Sequence, residues 1–215
     1  MIEAILFDLD GTLVDTLPLY IKSYKQALLS QGFNLTDREI VGTCFGKTEE
    51  SICAKLGIPS QAEEFKRSYF SGVRNHYREG RLFKRVIDFL DLAKEKKIKL
   101  AIVSFAYNWY VNEMLKRLKL DRYFNTVIGF NDVKKAKPDP EAAILACNKF
   151  NTSPSESIVV GDSKSDIVMG KNAGCKTVLF HPDGYDLFYD LNSLKESRPD
   201  KVIKDFSELK EFVMN

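Results

Sequence analysis

Two aspartates, Asp8 and Asp10, stand one residue apart at the end of an apolar stretch, and Gly11 follows them directly. Residues 2–9 read as a strand buried on both faces, on which residues two apart point the same way. Both carboxylates would therefore enter one small volume at the carboxyl end of the strand. Burying two like charges so close together is costly unless one holds a proton or a cation lies between them. The pattern therefore favours a site that holds a divalent cation.

The rest of the chain divides into a helical segment and an alternating segment. Between residues 15 and 80, apolar residues recur at the three- and four-residue spacing of helices, with no convincing strand. Beyond that segment, the predicted strands lie at residues 98–104, 125–130, 157–161, 176–180 and 201–204, and predicted helices lie between them at 107–118, 139–150 and 163–173. This alternation predicts an α/β protein with a parallel sheet covered by helices on both faces.

The helical segment 15–80 stands where the first crossover connection of the sheet belongs. A crossover needs only about 10–12 residues, so this much longer segment indicates an inserted helical lobe. Because the lobe leaves and rejoins the core beside the two acids, it could close over a substrate. We therefore expect a core of residues 1–14 and 81–215 and a helical cap domain of residues 15–80.

Further polar residues follow other predicted strands. Ser104 ends the second strand, and Asp162 comes directly after the fourth. Ligands of open parallel sheets bind beyond the carboxyl ends of the strands, so we expect these groups to lie near the two acids. Lys137 precedes Pro138, which favours an extended backbone at the residue before it. Such a lysine is suited to hold a fixed anion.

Two carboxylates, a third acid, a hydroxyl and a lysine are the groups that phosphoryl transfer requires. One carboxylate can attack phosphorus, another can protonate the leaving oxygen, and positive groups can hold the equatorial oxygens. Mg²⁺ is commonly held by one or two carboxylates together with substrate phosphate. The residues therefore predict metal-assisted chemistry on a phosphorylated compound.

The motifs DLDGTLVD, the strand-ending Ser104, KPDP and GDSKSD follow one another in this order. Over essentially the whole chain, this pattern resembles the haloacid dehalogenase superfamily, in particular its small phosphatases of the phosphoglycolate phosphatase and beta-phosphoglucomutase type. The resemblance implies a Rossmann-like, doubly wound parallel core with an inserted all-helical cap of the C1 type. It also implies that the first strand is central, between the strands that carry Ser104 and Asp162.

The resemblance assigns roles to the acids of these motifs. Asp8 would attack phosphorus and become an aspartyl-phosphate, while Asp10 would protonate the leaving alcohol and then activate water. The magnesium ligands would be the carboxylates of Asp8 and Asp162 and the backbone carbonyl of Asp10. Asp166 would assist the metal site, although Ser163 and Asp166 also have the spacing of a capping box at a helix start.

The resemblance also indicates which residues would hold the substrate. Ser104, Lys137 and the amides around Gly11 would bind the phosphoryl oxygens. The segment FGKTEE looks like the cap loop of the family, in which Gly46 and Lys47 could contact substrate. The same two residues fit equally well the start of a helix.

Four aromatic residues, Phe105, Tyr107, Trp109 and Tyr110, follow the motif serine. The family commonly has asparagine or a small polar residue where this chain has Phe105, so the substrate class stays open. The cluster is predicted to be helix core, with a stacking platform for a nucleobase as the alternative.

Composition limits the partners and the compartment. The 215 residues are 44% hydrophobic and 29% charged, with a formal net charge of +2, so no broad nucleic-acid footprint is expected. No apolar run has the roughly 18 residues of a membrane span. The four cysteines, Cys44, Cys53, Cys147 and Cys175, lie far apart without a CxxC pair, which favours reduced thiols in a cytoplasmic protein and no zinc site.

The sequence therefore predicts a Mg²⁺-dependent phosphatase acting on a small phosphorylated metabolite. A sugar-phosphate mutase stays open, because it would use the same Asp8 and Asp10. A non-catalytic phosphate-binding or regulatory module is the alternative from another class. The sequence leaves open whether the protein is a monomer or a homodimer.

Overall fold

A computed structural model describes residues 2–187 and 189–214 of the chain. In this part of the chain the strands are β1 (Ala4–Phe7), β2 (Val14–Asp15), β3 (Arg81–Leu82), β4 (Lys99–Val103), β5 (Thr126–Ile128), β6 (Ser157–Gly161), β7 (Lys176–Phe180) and β8 (Lys201–Ile203). The α-helices are α1 (Leu17–Ser30), α2 (Asp37–Cys44), α3 (Glu49–Lys55), α4 (Ala62–His76), α5 (Val86–Glu95), α6 (Asn108–Arg117), α7 (Glu141–Phe150), α8 (Lys164–Ala173), α9 (Leu191–Lys195) and α10 (Phe206–Met214).

Six strands form one parallel sheet in the order β5-β4-β1-β6-β7-β8. β1 lies between β4 and β6, with Phe7 paired to Ile102 on one side and to Val160 on the other. The predicted α/β class and the central position of the first strand are therefore confirmed. β2 and β3 form a separate antiparallel pair in which Val14 faces Leu82.

The two faces of the sheet are covered by different helices, because side chains on a strand alternate between faces. Leu6 belongs to a buried cluster that includes Ala143 of α7 and Met169 of α8. Phe7 packs its ring against Phe89 of α5 at 6.0 Å and against Phe206 of α10 at 6.3 Å between ring centroids. The central strands β1, β4, β6 and β7 are almost wholly buried, which explains their nearly continuous apolar sequences.

The chain forms two compact units. One unit comprises the chain up to Asp15, Arg81–Tyr185 and the chain from Asp190, and it contains the sheet. The other comprises Thr16–Gly80 together with Asp186 and Tyr189, and it contains α1–α4. The role of this helical unit as a cap over substrate stays a prediction.

The helical unit is built around the long helices α1 and α4. The rings of Tyr24 on α1 and Tyr69 on α4 stack at 4.2 Å between centroids, and Phe65 is fully buried beside them. Thr36 starts α2 with a capping box formed with Glu39, whose carboxylate accepts from the Thr36 backbone N–H at 2.8 Å. Thr36 is therefore the N-cap of α2.

One predicted strand ends earlier than its sequence suggested. Residues 125–130 were expected to form a strand, but β5 ends at Ile128 and Phe130 begins a 3₁₀ turn. The turn forms because the Gly129 N–H donates to the Asp132 carboxylate at 2.9 Å. The backbone there is used for the turn and not for sheet pairing.

The four cysteines are free thiols and all are buried, as the sequence indicated. None of the helices in the described part of the chain has the length and hydropathy of a membrane span.

Candidate active site

Three of the predicted site residues follow neighbouring strands of the sheet. Asp8 follows β1, Ser104 follows β4 and Asp162 follows β6. The backbone continues the sheet pairing here, since the Asp8 N–H donates to Val160 at 2.9 Å and the Ser104 N–H donates to Ile128 at 2.9 Å. Because these parallel strands end at the same edge, all three side chains start from that edge of the sheet.

Lys137 joins this edge from a loop that precedes α7. Its ammonium donates to Asp8 Oδ1 at 2.8 Å and to Asp166 Oδ1 at 2.6 Å, with only 5% of the lysine side chain exposed. The loop is held by Glu141, whose carboxylate accepts from the backbone N–H groups of Lys134 and Lys135. Hydrogen bonds therefore hold both the loop before Lys137 and the ammonium of Lys137 in place, which suits a lysine that binds a fixed anion.

Asp166 combines the two interpretations that its sequence position allowed. Its Oδ2 accepts hydrogen bonds from the N–H and the hydroxyl of Ser163, which completes a capping box at the start of α8. Its Oδ1 accepts from Lys137. A helix cap thus holds the carboxylate in the position where it contacts the lysine.

Asp8, Asp162 and Asp166 form a group that could hold a metal ion. One carboxylate oxygen from each lies within 4.8 Å of the others, and all three acids are poorly exposed. The ammonium of Lys137 binds Asp8 and Asp166, so the three carboxylates leave two negative charges in excess when all three are ionised. Oxygen donors with this excess charge fit a small divalent cation such as Mg²⁺. The donor set therefore suits the metal that the sequence predicted.

Burial disfavours the charged forms of Asp8 and Asp162 in this cluster. Loss of water contact raises the pKa of Asp8 to about 7, with the charges of Asp166 and Asp10 adding to the rise and Lys137 opposing it. Burial also raises the pKa of Asp162 well above its usual range, reinforced by the charge of Asp8. For Lys137, burial disfavours the ammonium, but the two carboxylates outweigh it and raise the pKa. A bound cation would oppose the rise in both acids.

Two glycines allow the acids to approach the backbone. Gly11 has a φ of +80°, and a Cβ atom on it would lie 2.4 Å from Asp162 Oδ2. A Cβ atom on Gly161 would lie 2.3 Å from the Cγ atom of Asp166. Neither position accepts a side chain without moving one of the acids. These glycines therefore determine where the two carboxylates lie.

The turn after β1 fixes the backbone of Asp10. The Leu13 N–H donates to Leu9 at 3.0 Å, and the Gly11 N–H donates to Val14 at 2.8 Å. The Gly11 amide is therefore used inside the turn, and its contact with phosphoryl oxygens stays a prediction. The metal contact from the Asp10 carbonyl stays a prediction as well.

Ser104 lies almost fully buried, and its hydroxyl oxygen accepts from the backbone N–H of Ala106 at 3.1 Å. This bond uses the oxygen as acceptor, so the hydroxyl proton can serve a phosphate oxygen. Its role as a phosphate contact stays a prediction that this geometry allows.

Gly46 and Lys47 belong to the helical unit, where the structure shows a local role. The Lys47 ammonium donates to the carbonyls of Gly42 at 2.8 Å and Thr43 at 3.1 Å in the last turn of α2. Gly46 has a φ of +66° just beyond that helix. The pair therefore terminates α2, and its predicted contact with substrate stays a prediction.

The aromatic residues after Ser104 do not behave as one cluster. Phe105 and Tyr107 both pack against Phe130, each at 5.3 Å between ring centroids. Trp109 is 41% exposed, whereas Tyr110 is buried and its hydroxyl donates to Asp10 Oδ1 at 2.8 Å. Because Phe105 and Tyr107 lie half-buried before α6 and Trp109 is exposed, the prediction of helix core is wrong for these three residues and is confirmed for Tyr110. The contact from Tyr110 to Asp10 was not foreseen, because nothing in the local sequence links residues so far apart.

Comparison with known proteins agrees with the fold. Residues 5–180 match the model of the haloacid dehalogenase-like hydrolases. The chain therefore belongs to this family of hydrolases, as its motifs indicated.

Two relatives and one solved structure are similar to this chain over most of its length. A Thermotoga maritima protein named phosphorylated carbohydrates phosphatase is 32% identical over 203 residues, covering 90% of this chain and 88% of the relative. Pyrophosphatase PpaX of Oceanobacillus iheyensis is 31% identical over 215 residues, covering 97% of this chain and 95% of the relative. A solved structure described as a predicted phosphoglycolate phosphatase from Haemophilus somnus superposes with a TM-score of 0.85 at 25% identity, covering 98% and 97% of the two chains. These names agree with the enzyme class expected from the sequence.

Proposed function

We propose that the chain is a Mg²⁺-dependent phosphatase that hydrolyses a small phosphorylated metabolite through a phosphoryl group carried by Asp8. The observation that carries the proposal is the buried group of Asp8, Asp162 and Asp166, in which Asp8 and Asp166 bind the ammonium of Lys137. A structural ion pair does not need three buried acids for one lysine. A site that binds a divalent cation and a phosphate uses the additional acids as ligands of the cation.

In the first step, a carboxylate oxygen of Asp8 attacks phosphorus in line with the ester oxygen. The bond between phosphorus and the ester oxygen breaks, and its electron pair goes to that oxygen. Asp10 gives the oxygen a proton, so the free alcohol leaves and Asp8 carries the phosphoryl group. A positioned general acid of this kind contributes roughly 10²–10⁴-fold to the rate.

In the second step, a water molecule attacks the same phosphorus atom and gives a proton to Asp10. The bond between phosphorus and the Asp8 oxygen breaks, which releases inorganic phosphate and restores both acids. Lys137 and the Ser104 hydroxyl hold the phosphoryl oxygens during both steps.

The carboxylates of Asp8 and Asp162 and the backbone carbonyl of Asp10 would hold Mg²⁺, with Asp166 supporting them through Lys137. When bound, the cation keeps Asp8 ionised and neutralises charge on the transferred phosphoryl group. The excess of three carboxyl groups over one ammonium at the site supports this assignment.

The names of the relatives suggest two substrate classes. Phosphomonoesters of small sugars or hydroxy acids are the first, and inorganic pyrophosphate is the second, because one relative is named a pyrophosphatase. Both present a terminal phosphoryl group to the nucleophile. We expect the choice between them to depend on residues outside the strand-end cluster.

The test is release of inorganic phosphate from a panel containing an aryl phosphate, sugar phosphates, phosphoglycolate and pyrophosphate. We expect turnover with Mg²⁺, its loss with chelator, and its recovery when Mg²⁺ is added back. Asp8→Asn should lower kcat/KM by at least roughly a thousandfold, since it removes the nucleophile. Asp121→Asn changes an exposed aspartate of the same unit and should leave the rate unchanged.

Other outcomes would favour the alternatives. Isomerisation of a sugar phosphate with little phosphate release would identify a mutase. Phosphate binding without turnover on every member of the panel would indicate a binding or regulatory module.

A further inference from the structure

The geometry assigns Tyr110 as the residue that positions the Asp10 carboxyl group for proton transfer, an inference that rests on the proposed function. Its hydroxyl donates to Asp10 Oδ1 at 2.8 Å from α6, a helix that contributes no other candidate site residue. Tyr110 is thus a positioning residue, since it acts on substrate only through Asp10.

The backbone at Asp10 leaves its side chain to be oriented by other groups. Its turn is closed by hydrogen bonds from Leu13 to Leu9 and from Gly11 to Val14. These bonds fix the Cα atom, but an aspartate side chain still chooses among rotamers. A general acid works only when its proton lies within hydrogen-bond reach of the leaving oxygen. A hydrogen bond to one carboxylate oxygen restricts that choice.

Tyr110 is itself held in place by its burial and by hydrogen bonds of the residues before it, so its hydroxyl has a defined position. The tyrosine is only 2% exposed. Just before it, the Asn108 N–H donates to the Asn131 side chain at 3.0 Å, and the Phe130 N–H donates to Ala106 at 2.9 Å. A buried tyrosine hydroxyl needs a polar partner, and the partner here is the proposed proton donor. The side chain has two torsions, so little freedom remains once the ring is packed.

Tyr123 provides a matched control. It is also buried, and its hydroxyl also donates to a carboxylate, Asp91 Oδ1, at 2.7 Å. Tyr110→Phe and Tyr123→Phe each remove one phenol hydroxyl that is bonded to an aspartate. Only the first of these contacts reaches a residue proposed to transfer a proton.

The experiment measures kcat/KM for a series of substituted phenyl phosphates with leaving groups of increasing basicity, using the full chain with Mg²⁺. This parameter reports the step in which the P–O bond to the leaving group breaks and that oxygen takes the proton of Asp10. In Tyr110→Phe, the most basic leaving groups should lose about 10- to 100-fold, the size expected for a misplaced catalytic group. Leaving groups that depart without a proton should change little, so the dependence on basicity steepens. Tyr123→Phe should keep the wild-type dependence.

A second comparison links the effect to Asp10. When Asp10→Asn is already present, adding Tyr110→Phe should not steepen the dependence further, because the group that Tyr110 positions is gone. An equal loss across all leaving groups would identify Tyr110 as merely structural and overturn the inference. If the enzyme is active and Tyr110→Phe shows the wild-type dependence of kcat/KM on leaving-group basicity, the inference is also overturned. The proposed function would then remain intact. A wild-type chain that hydrolyses no substrate would overturn the proposed function, and this inference with it.

Discussion

At the scale of single residues, the role proposed for Asp8 requires its carboxyl group to be both buried and ionised. Burial raises its pKa to about 7, yet a carboxylate attacks phosphorus only in its ionised form. Lys137 at 2.8 Å opposes the rise without cancelling it. In the proposed mechanism a bound cation supplies the remaining stabilisation of the charge, so we expect metal binding and deprotonation of Asp8 to be coupled.

This coupling predicts a pH-dependent affinity for Mg²⁺. Because the pKa of Asp8 is raised, Mg²⁺ must displace a proton below about pH 7. Its apparent affinity should therefore fall by at least about tenfold for each pH unit below that value, because the raised pKa of Asp162 can only add to the number of protons displaced. Isothermal titration calorimetry in buffers of different ionisation enthalpy measures both the affinity and the number of protons released.

Asp8→Asn is the informative variant in that titration. It should bind Mg²⁺ more weakly and with a flatter pH dependence, whereas Asp121→Asn should follow the wild type. The same affinity at about pH 6 and about pH 8, with no proton released, would contradict the coupling.

At the scale of elements, the start of α8 is placed against the end of β6 through a glycine. Asp166 in the first turn of α8 lies so close to Gly161 that a Cβ atom there would be 2.3 Å from the carboxyl carbon. The same carboxylate holds Lys137. The packing of this helix on this strand therefore helps to hold the lysine, together with Asp8 and the loop before α7.

Gly161→Ala should disturb both stability and catalysis. The added methyl group must push the Asp166 carboxylate away, which we expect to cost about 1–3 kcal/mol in the free energy of unfolding. Displacement of Lys137 should lower kcat as well. Chemical denaturation and phosphate release measure the two effects.

Gly42→Ala is the control for this substitution. Gly42 lies in α2 with no atom within 4 Å of its would-be Cβ, so alanine should stabilise the helix by up to about 1 kcal/mol. Gly161→Ala with wild-type stability and rate would show that the close approach does not determine the lysine's position.

The elements also show how far the sequence could lead. Residues 157–161 and 176–180 form strands as predicted, because continuous apolar runs between turns are a strong signal for buried parallel strands. The early end of β5 depends on a side-chain bond from Asp132 to Gly129, which periodicity does not report. The sequence predicted that Tyr110 is buried, but it did not predict the hydrogen bond from Tyr110 to Asp10, because the two residues lie 100 positions apart. Motifs predicted which acids meet at the sheet edge, but a contact outside any motif needed the structure.

At the scale of the whole molecule, the unit that contains the sheet and the helical unit contain different candidate site residues. The acids, the lysine and the serine all belong to the sheet unit. Gly46 and Lys47 belong to the helical unit, where Lys47 is engaged with the end of α2. We therefore expect the type of reaction to depend on the residues of the sheet unit. Comparing phosphate release across the substrate panel then tests whether Gly46 and Lys47 of the helical unit affect the choice of substrate.

The most direct test of the account asks whether Asp8 carries the phosphoryl group during turnover. The enzyme is mixed with Mg²⁺ and its best substrate, quenched in acid within one turnover, and examined by intact-mass and peptide mass spectrometry. We predict one added phosphoryl group, located on Asp8, that disappears as substrate is exhausted and never forms in Asp8→Asn. Rapid turnover with an unmodified chain, or a phosphoryl group on another residue, would contradict the account.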